Sequence, residues 1–376
     1  MTKVGATKER STTRRIGDFK LFSLAPAVAW LVSHAIGVLG LAVWPNRSGQ
    51  WFNTFGLTYM DGGWYRLIIT SGYPSGPLPD YGTTWPFFPL FPWLADLPTR
   101  IGAPVGPSLV AVSWIFSLAA MYGVWFLALG HFDRKVATAS VWVFALLPGA
   151  VGQVLAYSDG AFAAGLAWTL VALGHVDRDG TNATVNPKWV ALAASATLVT
   201  VASRPNGALI IPVIVHAVWR SPRTRARLPL LLAPSIIFLV SWATYSQRKT
   251  GDALVFLSAK SAWLERTVVD FVVHPTERPA NILHMVVFVA VLILASRRLR
   301  EVPRYWLSTC FVFLAPSLVL GIEGLARYVS LAIPVSILVG ASISRWTLGS
   351  RLTFLAVSGG AMLFLAVNVV RSAWVP

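Results

Sequence analysis

The chemistry-bearing residues of this chain are a few carboxylates and basic side chains set among aromatics and glycines. Asp61 opens the string DGGWYRLIITSGY, and Ser158 and Asp159 lie in AYSDGAF. Arg204 and Asn206 fall in SRPNG, at a break between two apolar runs. There a freed helix N-terminus and a guanidinium can jointly bind a phosphate. Lys260, Trp263, Glu265 and Arg266 share TGDALVFLSAKSAWLERT, with His274 following, and Arg327 and Tyr328 share GLARYVSLAIP. A lysine and an arginine so close together, against the charge bias of the rest of the chain, point to an anionic ligand. Asp61 and Asp159 both suit helix starts, where aspartate caps well, and a carboxylate there is both fixed and positioned.

These strings sit in particular connectors. The segment from Trp51 to Trp93 is too long and too rich in aromatics, glycine and proline to be a plain connector, and long ordered loops are where a scaffold usually carries its function. Within it Trp64, Leu67 and Ile68 recur at helical spacing with Tyr65 between them, which predicts a short helix lying in the membrane interface. The run TTWPFFPLFPW is expected at headgroup level, where Trp and Phe can face lipid.

The elements that position these residues follow from composition. The 376 residues are 55% hydrophobic with a mean hydropathy of +0.63, above the roughly 45–50% apolar content of soluble domains. This predicts an all-α polytopic membrane protein. About eleven apolar spans can be read, near 21–43, 106–130, 136–152, 159–174, 188–203, 207–219, 228–246, 280–296, 305–321, 328–344 and 352–370. Several are shorter than the ~20 residues of a simple crossing.

The formal charge of +16 is a topology signal. With the N-terminus inside and the spans alternating, twenty of the 31 Lys and Arg residues fall on the inner side, which satisfies the positive-inside rule and leaves no basic patch for nucleic acid. Residues 1–20 read as a basic cytoplasmic arm, and 21–376 as a single transmembrane domain. Outer loops 44–105 and 247–279 form its active-site face. The apolar run after the arm is too long for a cleaved signal peptide. The single cysteine, Cys310, excludes an internal disulfide framework. The sequon at Asn182 falls on the inner side and reads as a plain loop. No Walker loop, HExxH or GxSxG is present, and no residue grouping demands a metal or other cofactor.

Read in order, MDGGWYRLIITSGY, WPFFPLFP, AYSDGAF, SRPNG, TGDALVFLSAKSAWLER and ARYVSLAIP resemble the PIG-V-type mannosyltransferases. These are the GPI mannosyltransferase II family and its bacterial relatives, within the GT-C glycosyltransferase superfamily. The resemblance covers residues 59 to 334. The family pattern usually has Trp where Met60 stands and Glu where Asp159 stands. The resemblance implies a multi-pass plasma-membrane enzyme with a GT-C-like fold and a long first extracytoplasmic loop bearing short interfacial helices. It further implies transfer of mannose, with inversion, from a polyprenyl-phosphate-mannose donor to a lipid-anchored glycan on the outer face. Asp61 then matches the aspartate of the first outer loop that acts as general base. Arg204, Lys260, Arg266 and Arg327 are candidates to hold the donor phosphate. Trp64, Tyr65, Ser158, Asp159, Asn206, Trp263, Glu265 and Tyr328 are candidates to line the substrate pocket.

Two alternatives stay open. A GT-C enzyme using another lipid-linked sugar, such as an arabinosyl donor, needs the same base. A lipid or sugar transporter should instead show repeated halves and polar residues on broken helices near the midplane, whereas here every motif falls on one face.

Overall fold

Apolar runs punctuated by proline and glycine set the helices of this chain. The computed structural model describes residues 23–42, 56–78, 82–179, 186–219, 221–261, 279–320 and 324–370. The basic arm, along with Trp263, Glu265, Arg266 and His274, lies outside the described residues.

Among the described residues the protein is all helical. The helices are α1 (Ala25–Ala42), α2 (Asp61–Ser71), α3 (Leu90–Thr99), α4 (Val105–Leu129), α5 (Arg134–Leu146), α6 (Val151–Val154), α7 (Asp159–Asp179), α8 (Pro187–Ser203) and α9 (Ile210–Val218). They continue with α10 (Pro222–Arg225), α11 (Leu228–Thr250), α12 (Val255–Ser261), α13 (Pro279–Ser296), α14 (Arg304–Leu320), α15 (Leu325–Leu331), α16 (Ile333–Ile343) and α17 (Leu348–Val370). Each of the eleven apolar stretches overlaps helix among the described residues, two of them across a sharp bend. By length and composition five of these helices can cross a membrane, or up to seven when two bent pairs each count as one span.

Local chemistry explains the boundaries. Asp133 caps α5 by accepting a hydrogen bond from Val136 N at 2.9 Å, and Asn186 caps α8, which carries Pro187 in its first turn. Gly251, at φ 82°, ends α11 in the left-handed conformation that glycine adopts without penalty. The two bends fall at prolines. The α5 direction turns by 67° before Pro148–Val154, and α15 turns by 80° into α16, whose first turn holds Pro334.

Helix association inside lipid depends on close packing, because lipid tails are as apolar as leucine, so small residues line the contacts. Helix α7 runs through the centre, packed on α4 and α8, while α5 packs on α16 and α1 on α17. Gly165 shows why α7 and α8 come so near: a Cβ there would stand 2.6 Å from Thr200 N.

The first loop carries two short helices, α2 and α3, and folds back on the bundle. Ala156 N donates to Leu57 O at 2.8 Å, and Gly76 N donates to Lys249 O at 2.9 Å. Two expectations are corrected here. Most of the aromatic run after residue 83 turns inward, for Trp85, Phe88 and Phe91 are buried against Tyr73, Tyr65, Trp242 and Phe256, while Trp93 at its end stays exposed. Large planar rings make close edge-to-face contacts, and here they tie the loop to α11 and α12. On α2 the inward stripe is Gly62, Tyr65 and Ile68, while Leu67 faces outward. Ile68 therefore does not share the face of Leu67 that its spacing had given it.

Candidate active site

Asp61 is the first residue of α2. It follows Met60, which holds φ 54° and ψ −118°, and Met60 is the one non-glycine with positive φ among the described residues. Such a backbone costs on the order of 1–3 kcal/mol and persists where the surroundings over-determine it. No side chain caps α2. Instead the Asp61 carboxylate accepts a hydrogen bond from Arg327 Nη2 at 2.8 Å, across 266 positions of sequence.

Asp159 begins α7 and is fully buried. Its Oδ2 accepts from Arg327 Nε at 2.6 Å, and its Oδ1 accepts from Arg204 Nη1. Arg327 thus bridges two carboxylates, and Asp159 bridges two guanidiniums. The four formal charges cancel, which is the condition under which buried ions are tolerated. Aromatic rings complete the surroundings: Arg327 Cζ lies 4.7 Å from the Tyr157 ring centre and Arg204 Cζ lies 6.0 Å from that of Phe162.

Glycines make room for this network. A Cβ on Gly152 would fall 2.3 Å from Asp159 Oδ2, and one on Gly149 would fall 2.1 Å from the Ala326 carbonyl oxygen. The bent α5–α6 region therefore presses its backbone directly against the turn that carries Arg327. Tyr65, one turn along α2 from Asp61, donates its hydroxyl proton to Ser158 Oγ at 2.7 Å. Burial, with the negative charge of Asp61 added, pushes the Tyr65 phenol well above its usual range, so it remains a neutral donor.

The two carboxylates differ in access. The Asp61 side chain is 19% exposed and that of Asp159 is 1% exposed. Asp159 has both oxygens committed to arginines, whereas Asp61 is the carboxylate an incoming hydroxyl can reach.

The structure brings together Asp61, Tyr65, Ser158, Asp159, Arg204 and Arg327 from four separate sequence strings. Trp64 stacks on Phe87 at 6.1 Å, half-buried beside them. Asn206 lies in the 3₁₀ turn Pro205–Leu209, and Tyr328 is half-buried next to Arg327 in α15. Arg204 precedes that turn, with its Nη1 on Asp159. Lys260 belongs to α12. Sequence reasoning missed Tyr157, Gly149 and Gly152. Tyr157 sat inside a string already singled out, and the two glycines follow Pro148 closely, but nothing in their types announced a contact with Asp159 or Ala326.

No protein-family model matches the chain, and no curated protein matches it. Solved structures do. ArnT from Cupriavidus metallidurans, bound to undecaprenyl phosphate, aligns with TM-score 0.58 at 14% identity, over 94% of this chain and 70% of that one. The oligosaccharyltransferase of Archaeoglobus fulgidus, tethered to an acceptor peptide, aligns with TM-score 0.55 at 12% identity, over 95% of this chain and 56% of its own. The mycobacterial arabinofuranosyltransferase AftD aligns with TM-score 0.54 at 17% identity, over 93% of this chain and 27% of its own. This chain thus spans little more than half the length of the archaeal enzyme and about a quarter of AftD. At these identities the likeness concerns the fold alone, and the fold is GT-C-like.

Proposed function

We propose that this protein is an inverting glycosyltransferase that moves mannose from a polyprenyl-phosphate-mannose donor to a lipid-anchored glycan, with Asp61 as the general base. The observation that carries this reading is the unequal pair of carboxylates. Asp61 is reachable and held by one guanidinium nitrogen, while Asp159 is sealed between two arginines.

In such a transfer the acceptor hydroxyl oxygen attacks the anomeric carbon from the face opposite the phosphate. Its proton passes to Asp61, the glycosidic bond forms, and the bond from the anomeric carbon to the phosphate oxygen breaks. The polyprenyl phosphate departs with one more negative charge than it had as a diester. It needs no general acid, but fixed cations stabilise the charge as it develops. Arg327 is the nearest such cation to Asp61, and Arg204 stands behind it. A well-placed donor of this kind contributes on the order of 3–4 kcal/mol. Of the other basic candidates, Lys260 lies on α12, a helix that packs against the first loop through Phe256 and Phe88.

The donor's tail accounts for a transferase embedded in lipid, because the tail stays in the bilayer while the head enters the polar cluster. The positive-inside bias supports a plasma-membrane orientation with the N-terminus cytoplasmic and Asp61 extracytoplasmic. Mannose is favoured over other lipid-linked sugars by the ordered strings from residue 59 to 334.

The deciding experiment is transfer of radiolabelled sugar from synthetic polyprenyl-phosphate-mannose to a membrane glycolipid extract by the purified protein. A polyprenyl-phosphate-arabinose donor and the Asp61→Asn variant are run in parallel. Transfer of mannose by the wild type alone supports the reading. Transfer of arabinose only would replace the sugar and keep the base, and full turnover by Asp61→Asn would overturn the base.

A further inference from the structure

His284 lies on α13, 1% exposed, and its Nδ1 accepts a hydrogen bond from the backbone N–H of Ala326 at 3.1 Å. Accepting through Nδ1 fixes the ring as the neutral tautomer with its proton on Nε2. Ala326 is the second residue of α15 and the immediate neighbour of Arg327. The first N–H groups of a helix have no partner within it and ordinarily take one from the preceding cap residue. The cap of α15 is Gly324, at φ 85°, which has no side chain to offer. A histidine on a neighbouring helix supplies the missing acceptor.

The local need for it is clear. Helix α15 has seven residues and turns by 80° into α16, so intrahelical hydrogen bonds alone hold it weakly. The Ala326 backbone is pressed by Gly149 and bonded by His284, and Arg327 projects from the turn so clamped. Among the described residues the Nε2 of His284 is buried without a partner, which is unfavourable in itself. The Nδ1 bond is the interaction that offsets this.

We propose that His284 is a positioning residue: its Nδ1 caps α15 from outside and thereby sets the guanidinium of Arg327 between Asp61 and Asp159. The proposal rests on the reading of Arg327 as a cation that meets the donor phosphate.

The test compares His284→Phe, which keeps ring volume and lacks the acceptor, with His284→Asn, whose side-chain oxygen can take the place of Nδ1. Two readouts are used on the full-length protein in lipid nanodiscs: hydrogen exchange of backbone amides in residues 324–331, and affinity for polyprenyl phosphate. His284→Phe should speed exchange at Ala326 at least tenfold and weaken binding at least tenfold, while His284→Asn stays within threefold of wild type in both. In an Arg327→Ala background, adding His284→Phe should weaken binding by less than twofold, because the effect runs through Arg327. Equal exchange in all three proteins would overturn the proposal, as would an undiminished binding loss in the Arg327→Ala background. If His284→Phe does not fold, His284→Ala takes its place. Failure of the wild type to bind polyprenyl phosphate would remove the phosphate reading of Arg327, and the exchange comparison would still decide the cap.

Discussion

Arg327 meets Asp61 through Nη2 at 2.8 Å while its Nε remains on Asp159 at 2.6 Å, so one guanidinium fixes the spacing of two carboxylates that arise 98 residues apart. A planar fork holds its donors at a fixed spacing for this, which a compact ammonium does not offer. The exposed carboxylate is thereby tied to the buried one.

Asp61→Asn should lower kcat for sugar transfer by about a thousandfold or more, since a positioned general base contributes on the order of 10²–10⁴ in rate. Affinity for polyprenyl phosphate and melting temperature in detergent should stay near wild type. A variant that retained more than a tenth of kcat would remove Asp61 from the base role.

Asp159→Ala should act on stability more than Asp61→Ala does. It leaves Arg204 and Arg327 without their shared buried partner, and breaking a buried pair in this way costs about 3–5 kcal/mol. Thermal unfolding in detergent, monitored side by side, should place Asp159→Ala well below Asp61→Ala. The reverse order would contradict the assignment of Asp159 as the sealed member of the pair.

Arg327→Lys should lose at least tenfold in kcat/KM even though charge is conserved, because lysine does not reproduce the fixed fork that holds Asp61 and Asp159 apart. Steady-state kinetics with a polyprenyl-phosphate sugar measure this. Near-wild-type turnover would mean that charge alone suffices at this position.

Gly152→Ala should impair transfer without a change of charge or hydrogen-bonding residue, because its Cβ would fall 2.3 Å from Asp159 Oδ2. The carboxylate must shift, and both arginines with it. Gly149→Ala meets backbone at Ala326 rather than a side chain that can swing away, so its expression and melting temperature should suffer more. Parallel yields, melting curves and kcat/KM values check the order.

Tyr65→Phe removes the bond to Ser158 and should cost about 1 kcal/mol of stability near neutral pH. The folded-state phenol is raised above its ordinary value of 10.0, so folding favours the protonated form. That contribution is complete below about pH 10 and is lost as pH rises beyond it. Melting temperature measured between pH 8 and 11 should therefore fall less steeply in Tyr65→Phe than in wild type.

Much was legible in the linear chain because it rests on local or additive properties. Hydropathy located the helices. The strings around Asp61, Asp159, Arg204 and Arg327 could be singled out because charges and glycines beside long apolar runs are costly unless they serve a site. Spacing also foretold a helix from Asp61, but the face it buries was decided by Tyr65 reaching Ser158 and by Phe87 and Phe91 packing on Tyr65.

Tertiary structure alone decided how the charges pair. Sequence leaves Asp61 and Asp159 as two similar carboxylates at helix starts. Their roles separate only when α15 sets Arg327 between them and α7 takes Asp159 out of solvent. Burial and ion pairing depend on atoms hundreds of positions apart, and no local pattern encodes them. The same holds for Gly149 and His284, which meet the backbone of Ala326, and for Gly152, which meets the Asp159 carboxylate. Composition and periodicity determine that this chain is a helical membrane protein; the packing of its bent helices determines which carboxylate remains reachable.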